Sequence, residues 1–152
     1  VEVMDGRITE RQFHTYLDPG RPIHPDAQAV HGLTSDFLAG KPLFVQMAEP
    51  LREFVRDATM LIHNASFDLA FLDAELARID APSLKVTVDQ VIDTLPMFRG
   101  LFPGQKCGLQ HICERLQITP SVGEKNAIVD ARLLAQACLR VWETLRQTWQ
   151  LP

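Results

Sequence analysis

The side chains best suited to metal or acid–base chemistry in this sequence are three aspartates, Asp68, Asp93 and Asp130. Asp68 and Asp130 each fall near the start of a predicted helix among apolar neighbours, and Asp93 falls at the end of a predicted strand. A carboxylate shielded from water needs a partner or a metal ion to offset its desolvation. Since divalent cations prefer hard oxygen ligands, one hypothesis is that the three converge on such an ion.

Two of these aspartates also have a purely structural interpretation. An acidic residue in the first turn of a helix is favoured by the helix macrodipole, which would account for Asp68. Asp93 is followed by a threonine and soon by a proline, so it is a candidate cap for the next helix. Because the chain contains 19 acidic residues, spacing alone does not choose between a metal site and these roles.

The elements that would position Asp68 are a strand at 59–63 and a helix at 66–79. The apolar run in the strand is too short for a helix, and the segment after it has helical periodicity. Asn64 and Asp68 would therefore lie at the carboxyl end of a strand, where open α/β sheets keep their sites. The apolar positions of the predicted helix are Phe67, Leu69, Phe71, Leu72 and Leu76.

The remaining elements complete a mixed-sheet α/β or α+β domain. An Asp5-Gly6 turn signal between two alternating segments predicts a hairpin of residues 1–4 and 11–17. Apolar residues at helical spacing over 44–57 predict a helix that is kinked or divided at Pro50. A further strand is predicted from Val86 to Asp93. A short turn is predicted after a cap at Thr34 or Ser35. Other helices are predicted at 25–32, 94–102, 109–116 and 127–148. In the last of these helices, Asp130 is expected to face a partly buried surface.

Charge, hydrophobicity and cysteine content exclude several classes of protein. The formal net charge is −4, so contact with nucleic acid would depend on a local patch or on metal ions. No apolar run approaches the roughly 20 residues that span a membrane. The three cysteines form no CxxC pair, which predicts neither a disulfide framework nor a zinc site but reduced residues in a cytoplasmic protein.

Six stretches, at residues 13–19, 29–34, 61–68, 91–94, 102–104 and 127–131, carry a family resemblance. The most specific is the HN-x-x-FD block that ends at Asp68. In order and spacing they resemble the DnaQ-type 3′–5′ exonuclease domain, of the kind found in the proofreading epsilon subunit of bacterial DNA polymerase III. The resemblance covers nearly the whole chain. It implies a ribonuclease-H-like fold, a mixed sheet flanked by helices, in a single exonuclease-like domain over residues 1–152.

The resemblance also implies phosphodiester hydrolysis by two Mg²⁺ or Mn²⁺ ions. One ion lowers the pKa of the attacking water and the other stabilises the leaving oxygen. Asp68 and Asp130 match metal-ligand acids of the family. Asn64 falls on the family's amide near the 3′ nucleotide, and His31 and Gly32 match its loop near the bound DNA end.

Two departures from the family pattern predict a catalytically inactive domain. The family's first motif, an Asp-x-Glu on the first strand, is not in the sequence, which predicts a fold truncated at that strand and weakened or absent metal binding. The general-base histidine is replaced by Lys125, five residues before Asp130. A lysine with an ordinary pKa of about 10.4 is protonated at neutral pH, so it cannot accept the proton of water.

Two alternatives remain open. The domain is an active exonuclease if its first strand is supplied by a segment outside this sequence or by another chain, as in an intertwined homodimer. Otherwise it is a non-catalytic module that binds a polymerase or nucleic acid. The expected partners are 3′ ends of single-stranded DNA or other nucleic acid, a DNA polymerase subunit, and no membrane.

Overall fold

The computed structural model of the protein describes residues 1–119 and 126–149. Within these ranges none of the helices is both long and apolar enough to cross a membrane. The strands are β1 (Val3–Met4), β2 (Arg7–Ile8), β3 (Thr59–Ile62) and β4 (Gln90–Asp93). The helices are α1 (Pro25–His31), α2 (Ser35–Leu38), α3 (Phe44–Val55), α4 (Ala65–Arg78), α5 (Thr94–Leu101), α6 (Leu109–Arg115) and α7 (Ala127–Trp149), with a 3₁₀ helix at Leu84–Val86.

The chain forms two compact units. The central unit is Phe13–Asp93, and the terminal unit joins Val1–Gln12 to Thr94–Pro152. The parallel pair β3 and β4 belongs to the central unit, and the antiparallel hairpin β1 and β2 belongs to the terminal unit.

Strands β3 and β4 fix the geometry of the central unit. They pair from Thr59 opposite Gln90 to Ile62 opposite Asp93. Parallel neighbours need a long connection, and α4 with the 3₁₀ helix provides it. Because Ile62 and Asp93 are direct partners, the two strands end together, and the start of α4 lies beside the end of β4.

The core of the central unit holds α3 and α4 against this strand pair. Leu76 and Leu84 are 1% and 0% exposed. Burying one such side chain contributes about 1.5–3 kcal/mol, so a few of them fix the position of α4. The buried members are Ala48, Val55, Leu76, Leu84 and Val88, surrounded by Phe44, Leu51, Phe54, Met60, Leu72, Ile79, Ala81 and Val91.

The core of the terminal unit lies among α5, α6 and α7. Phe98, Ile112 and Ala137 are 0% exposed. The guanidinium of Arg115 lies 4.6 Å from the centroid of the Phe102 ring, a cation–π contact at the edge of this core. The buried members are Phe98, Cys107, Ile112, Cys113, Ile118, Leu133, Ala137 and Val141.

The predicted hairpin was right in its turn and wrong in its second strand. Asp5 and Gly6 both have positive φ, 50° and 74°, as a tight two-residue turn requires. This turn pairs Met4 with Arg7 directly, so the second strand begins right after the turn. Residues 11–17, all of them described, lie in no strand.

Two other predictions are narrowed or corrected. Residues 44–55 form one helix that continues through Pro50, so the predicted division is wrong and the kink at Pro50 stays a prediction. The strand predicted from Val86 is shorter, because Leu84–Val86 forms a 3₁₀ helix capped by the hydroxyl of Ser83, and β4 begins only at Gln90. Side-chain capping of a turn offers the backbone an alternative to strand pairing that β propensity does not reveal.

Candidate functional site

The candidate site is built on the turn from β3 into α4. Asn64 has φ 69° and ψ 54°, a left-handed conformation that asparagine tolerates better than most residues. Its own side chain makes no capping hydrogen bond to the helix. The carbonyl of Asn64 accepts the N–H of Phe67 at 3.0 Å, which closes the first turn of α4.

The carboxylate of Asp93 caps α4 from the neighbouring strand. Its Oδ1 accepts the N–H of Asn64 at 3.0 Å, and its Oδ2 accepts the N–H of Ala65 at 3.1 Å. The first N–H groups of a helix lack partners within the helix, and a negative charge at this end is favoured by the macrodipole. The sequence had suggested a cap for the helix that follows Asp93, whereas these bonds cap the helix that precedes it.

Asp68 lies in the first turn of α4, three residues after Ala65. The residue is exposed, yet desolvation by the surrounding protein raises the pKa of its carboxyl above the ordinary value. The negative charge of Asp93 adds to the rise, while a backbone hydrogen bond and His63 oppose it. The ionised form of the Asp68 carboxyl is therefore less favourable than that of an aspartate in water. A nearby cation would stabilise the ionised form.

The exposed aromatic pair on α4 was not predicted from the sequence. Phe67 and Phe71 were assigned to the apolar face of the helix, but they are 60% and 64% exposed. Their spacing contained the signal, because Leu69 and Leu76 define a buried face on the opposite side of the helix. The two rings lie one helical turn apart on the exposed side of α4. Phe67 and Phe71 are close in sequence to Asn64 and Asp68.

His31 and Gly32 lie at the end of α1, elsewhere in the central unit. Gly32 has φ 74°, and its N–H donates to the carbonyl of Gln28. Nothing lies within 4 Å of a Cβ added there, so the left-handed backbone, not crowding, favours glycine. The imidazole Nδ1 of His31 accepts the N–H of Leu33 at 3.0 Å. This histidine lines a cavity of about 570 Å³ together with Arg21 and His24 and with prolines and leucines.

Asp130 lies in the first turn of α7, in the terminal unit. The side-chain carbonyl of Asn126 caps this helix by accepting the N–H of Val129 at 3.1 Å. The prediction that Asp130 faces a partly buried surface was wrong, because the residue is exposed. It shares a helical stripe with Leu133 and Ala137, but the buried part of that stripe begins only at Leu133. Its charge helps to raise the pKa of the Cys113 thiol, after burial.

The remaining predicted site residue, Lys125, lies outside the described residues. Within residues 1–119 and 126–149, no group of three or more His, Cys, Asp or Glu side chains is placed to hold a metal ion. The central unit thus brings together Asn64, Asp68 and Asp93, while Asp130 stands in the terminal unit.

Most of the chain matches the sequence pattern of a known protein family. The family model described as exonuclease (RNase T) matches residues 1–138. The chain belongs to the exonuclease family. The DNA polymerase III subunits epsilon of Pasteurella multocida and Escherichia coli K12 are each 39% identical to it, over 140 and 142 residues. That of Rickettsia felis is 38% identical over 138 residues.

These alignments cover most of this exonuclease-family chain but only part of its relatives. They span 91%, 91% and 90% of the chain, and 55%, 58% and 60% of the Pasteurella, Escherichia and Rickettsia proteins. The chain therefore spans somewhat more than half the length of the epsilon subunits that it matches.

The fold of the exonuclease-family chain also has a counterpart among solved structures. Exonuclease X, solved in complex with 5′ overhanging duplex DNA, superposes with a TM-score of 0.68 at 24% sequence identity. The superposition covers 94% of this chain and 79% of that one. The predicted ribonuclease-H-like fold, a mixed α/β arrangement, is confirmed.

Proposed function

We propose that this protein is an exonuclease-type domain that binds the 3′ end of single-stranded nucleic acid and is catalytically inactive in this form. Membership of the exonuclease family supports the substrate class. The replacement of the family's general-base histidine by Lys125 supports the loss of hydrolysis. We further propose that residues 1–152 act as one exonuclease-type domain, since the family match at 1–138 includes residues of both compact units.

The observation that carries the binding proposal is the exposed turn from Asn64 to Asp68. The side chain of Asn64 is not used for capping, so its amide is available to a ligand. Asp68 is exposed one helical turn later. His31 and Gly32 are proposed as a second contact with the nucleic-acid end, supported by the cavity that His31 lines. An asparagine amide can both donate to and accept from a nucleotide.

Asp68 and Asp130 are proposed as ligands of Mg²⁺ or Mn²⁺. Both are exposed carboxylates, and Mg²⁺ is commonly held by one or two carboxylates together with substrate phosphates. The raised pKa of Asp68 fits a position where a cation offsets unfavourable charge. When bound, such ions lower the pKa of water and stabilise a leaving oxygen. Weak affinity for the free ion is expected, because Mg²⁺ dehydrates reluctantly.

Lys125 is the basis of the proposed inactivity. A general base must be unprotonated to take a proton from the attacking water, and a lysine with its ordinary pKa of about 10.4 is protonated at neutral pH. The ammonium group can instead attract the phosphates of nucleic acid. Binding without hydrolysis is the combination that this substitution favours.

The test separates binding from hydrolysis in the unaltered protein and two variants. Binding of a single-stranded oligonucleotide labelled at its 5′ end, with a free 3′ end, is followed by fluorescence anisotropy, and its shortening with Mn²⁺ is followed on gels. The unaltered protein should bind without shortening the oligonucleotide. Lys125→His, made in a chain that also carries the family's Asp-x-Glu strand, should raise hydrolysis by about 10²–10⁴-fold over the same chain with Lys125, the usual contribution of a general base. Lys125→Met, which has neither charge nor base, should remain inactive.

The outcomes separate this proposal from its alternatives. Efficient shortening by the unaltered protein would show an active exonuclease and overturn the proposed inactivity. Failure of the oligonucleotide to bind would overturn the binding proposal. It would favour a module that contacts a polymerase, an alternative supported by the similarity to DNA polymerase III subunits. If Asn64→Ala binds the oligonucleotide as tightly as the unaltered protein does, Asn64 is not part of the site.

A further inference from the structure

The carboxylate of Asp93 joins two segments that are far apart in sequence. Its two oxygens accept the N–H groups of Asn64 and Ala65, which lie 29 and 28 residues away. Parallel pairing places Asp93 directly opposite Ile62, two residues before Asn64. The strand register therefore holds this carboxylate beside the first N–H groups of α4.

These two bonds fix the part of the backbone from which the proposed site projects. Asn64 occupies a left-handed conformation that costs of order 1 kcal/mol for most residues other than glycine. A conformation of this kind persists when surrounding contacts determine it. Two bonds to one ionised carboxylate are charge-assisted and directional, so they specify both the turn at Asn64 and the first peptide of the helix.

Asp93 and Asn64 have different roles at the start of α4. An asparagine at the start of a helix ordinarily caps the helix with its own side chain. Here that bond is absent in the described turn, and Asp93 supplies the cap instead. The amide of Asn64 is thereby left available, and Asp68 follows at a fixed distance along the same helix.

We propose that Asp93 is a positioning residue for the candidate site. It orients Asn64 and Asp68 through the backbone of the β3–α4 turn and does not itself contact nucleic acid. This inference depends on the proposed function for its consequence in binding, but its structural part can be measured without any ligand.

The structural part is tested by nuclear magnetic resonance on the full chain. In the unaltered protein the amide protons of Asn64 and Ala65 should resonate downfield, as bonds to a carboxylate require. Asp93→Asn keeps the shape of the side chain, but its NH₂ group opposes one of the two N–H donors. Exchange of at least one of the two amide protons should accelerate about tenfold or more. Amides at the far end of α4 should change much less.

A matched control removes a different cap in the same unit. The hydroxyl of Ser83 accepts the N–H of Lys85 at 3.2 Å and caps the 3₁₀ helix. Ser83→Ala should leave the exchange of Asn64 and Ala65 unchanged. Equal acceleration throughout the central unit in Asp93→Asn, with no local excess at the turn, would overturn the proposal, because it would show only a general loss of stability.

The functional part uses the anisotropy measurement with the labelled oligonucleotide. Asp93→Asn should weaken binding at least about tenfold, comparable with Asn64→Ala, while Ser83→Ala should leave binding unchanged. If the unaltered protein binds the oligonucleotide and Asp93→Asn binds it equally well, the positioning role is overturned. If the unaltered protein does not bind but the local exchange effect is present, the proposed function fails and the positioning of the turn stands.

Discussion

The rings of Phe67 and Phe71 meet edge to face on α4, with centroids 5.0 Å apart and an interplanar angle of 61°. Both rings point away from the side on which Leu69 and Leu76 are buried, and most of their surface is accessible. A ring pair of this geometry contributes about 0.5–1.5 kcal/mol beyond the area that it buries. The two sides of α4 should therefore differ sharply in their contribution to stability.

Truncation on the exposed side should cost little. Phe71→Ala should lower the free energy of unfolding by no more than about 1.5 kcal/mol, because the residue is 64% exposed and loses a ring pair with Phe67. Leu76→Ala should lower it by about 2–5 kcal/mol, because the side chain is 1% exposed and a cavity remains. Urea denaturation measures both values, and equal losses would show that another group covers the aromatic pair.

The turn at Asn64 should tolerate glycine better than alanine. With φ 69°, an alanine would have its Cβ in an unfavourable left-handed conformation. Asn64→Ala should therefore lower the free energy of unfolding by about 1–2 kcal/mol. Asn64→Gly adopts positive φ freely and should stay within about 1 kcal/mol, the entropy that glycine adds to the unfolded chain. Equal effects in chemical denaturation would contradict a constraint on φ.

The stability of the protein should respond to Asp68 in a defined direction with pH. Desolvation by the surrounding protein, aided by the charge of Asp93, raises the pKa of Asp68 in the folded state. The stabilising contribution of the protonated form is therefore present below the unfolded pKa of about 3.9 and is lost as the pH rises through the folded pKa. In metal-free buffer, Asp68→Asn should be more stable than the unaltered protein at pH 7, and the difference should vanish at low pH.

Glu53 provides the control of opposite sign. Hydrogen bonds from Arg56 lower the pKa of Glu53, so its contribution is present above the unfolded pKa and is lost as the pH falls. Glu53→Gln should be slightly less stable at pH 7, with the difference small because the pair is exposed. Thermal unfolding at several pH values measures both variants. The same sign of pH dependence for both would refute the assignment for Asp68.

Cys138 should be unreactive in the folded protein. Burial raises the pKa of its thiol to about 11, and the thiolate is the nucleophilic form. At pH 8 iodoacetamide should label Cys138 far more slowly than it labels the urea-unfolded chain, with peptide mass spectrometry as the measurement. Rapid labelling without urea would show that this part of α7 is open to solvent.

Local sequence chemistry determined most of the helices. Pro25 and Gly32 stand at the start and just past the end of α1, as the missing N–H of proline and the positive φ of glycine require. The periodic apolar residues of α7 predicted its length almost fully. These features depend on neighbours within a few residues, so periodicity and capping residues were sufficient to predict them.

Contacts between distant segments decided the candidate site. The cap from Asp93 to Asn64 depends on the register of two parallel strands, which two residues separated by 29 positions in sequence do not reveal. Asp130 lies on the same helical stripe as Leu133, yet it is exposed because burial on α7 depends on where the packing of other elements ends. The sequence by itself determined the family pattern and the positions of Asp68 and Asn64 in it. Only the tertiary structure decided which carboxylate holds the turn, because hydrogen-bond geometry is set by how strands pair and not by residue order.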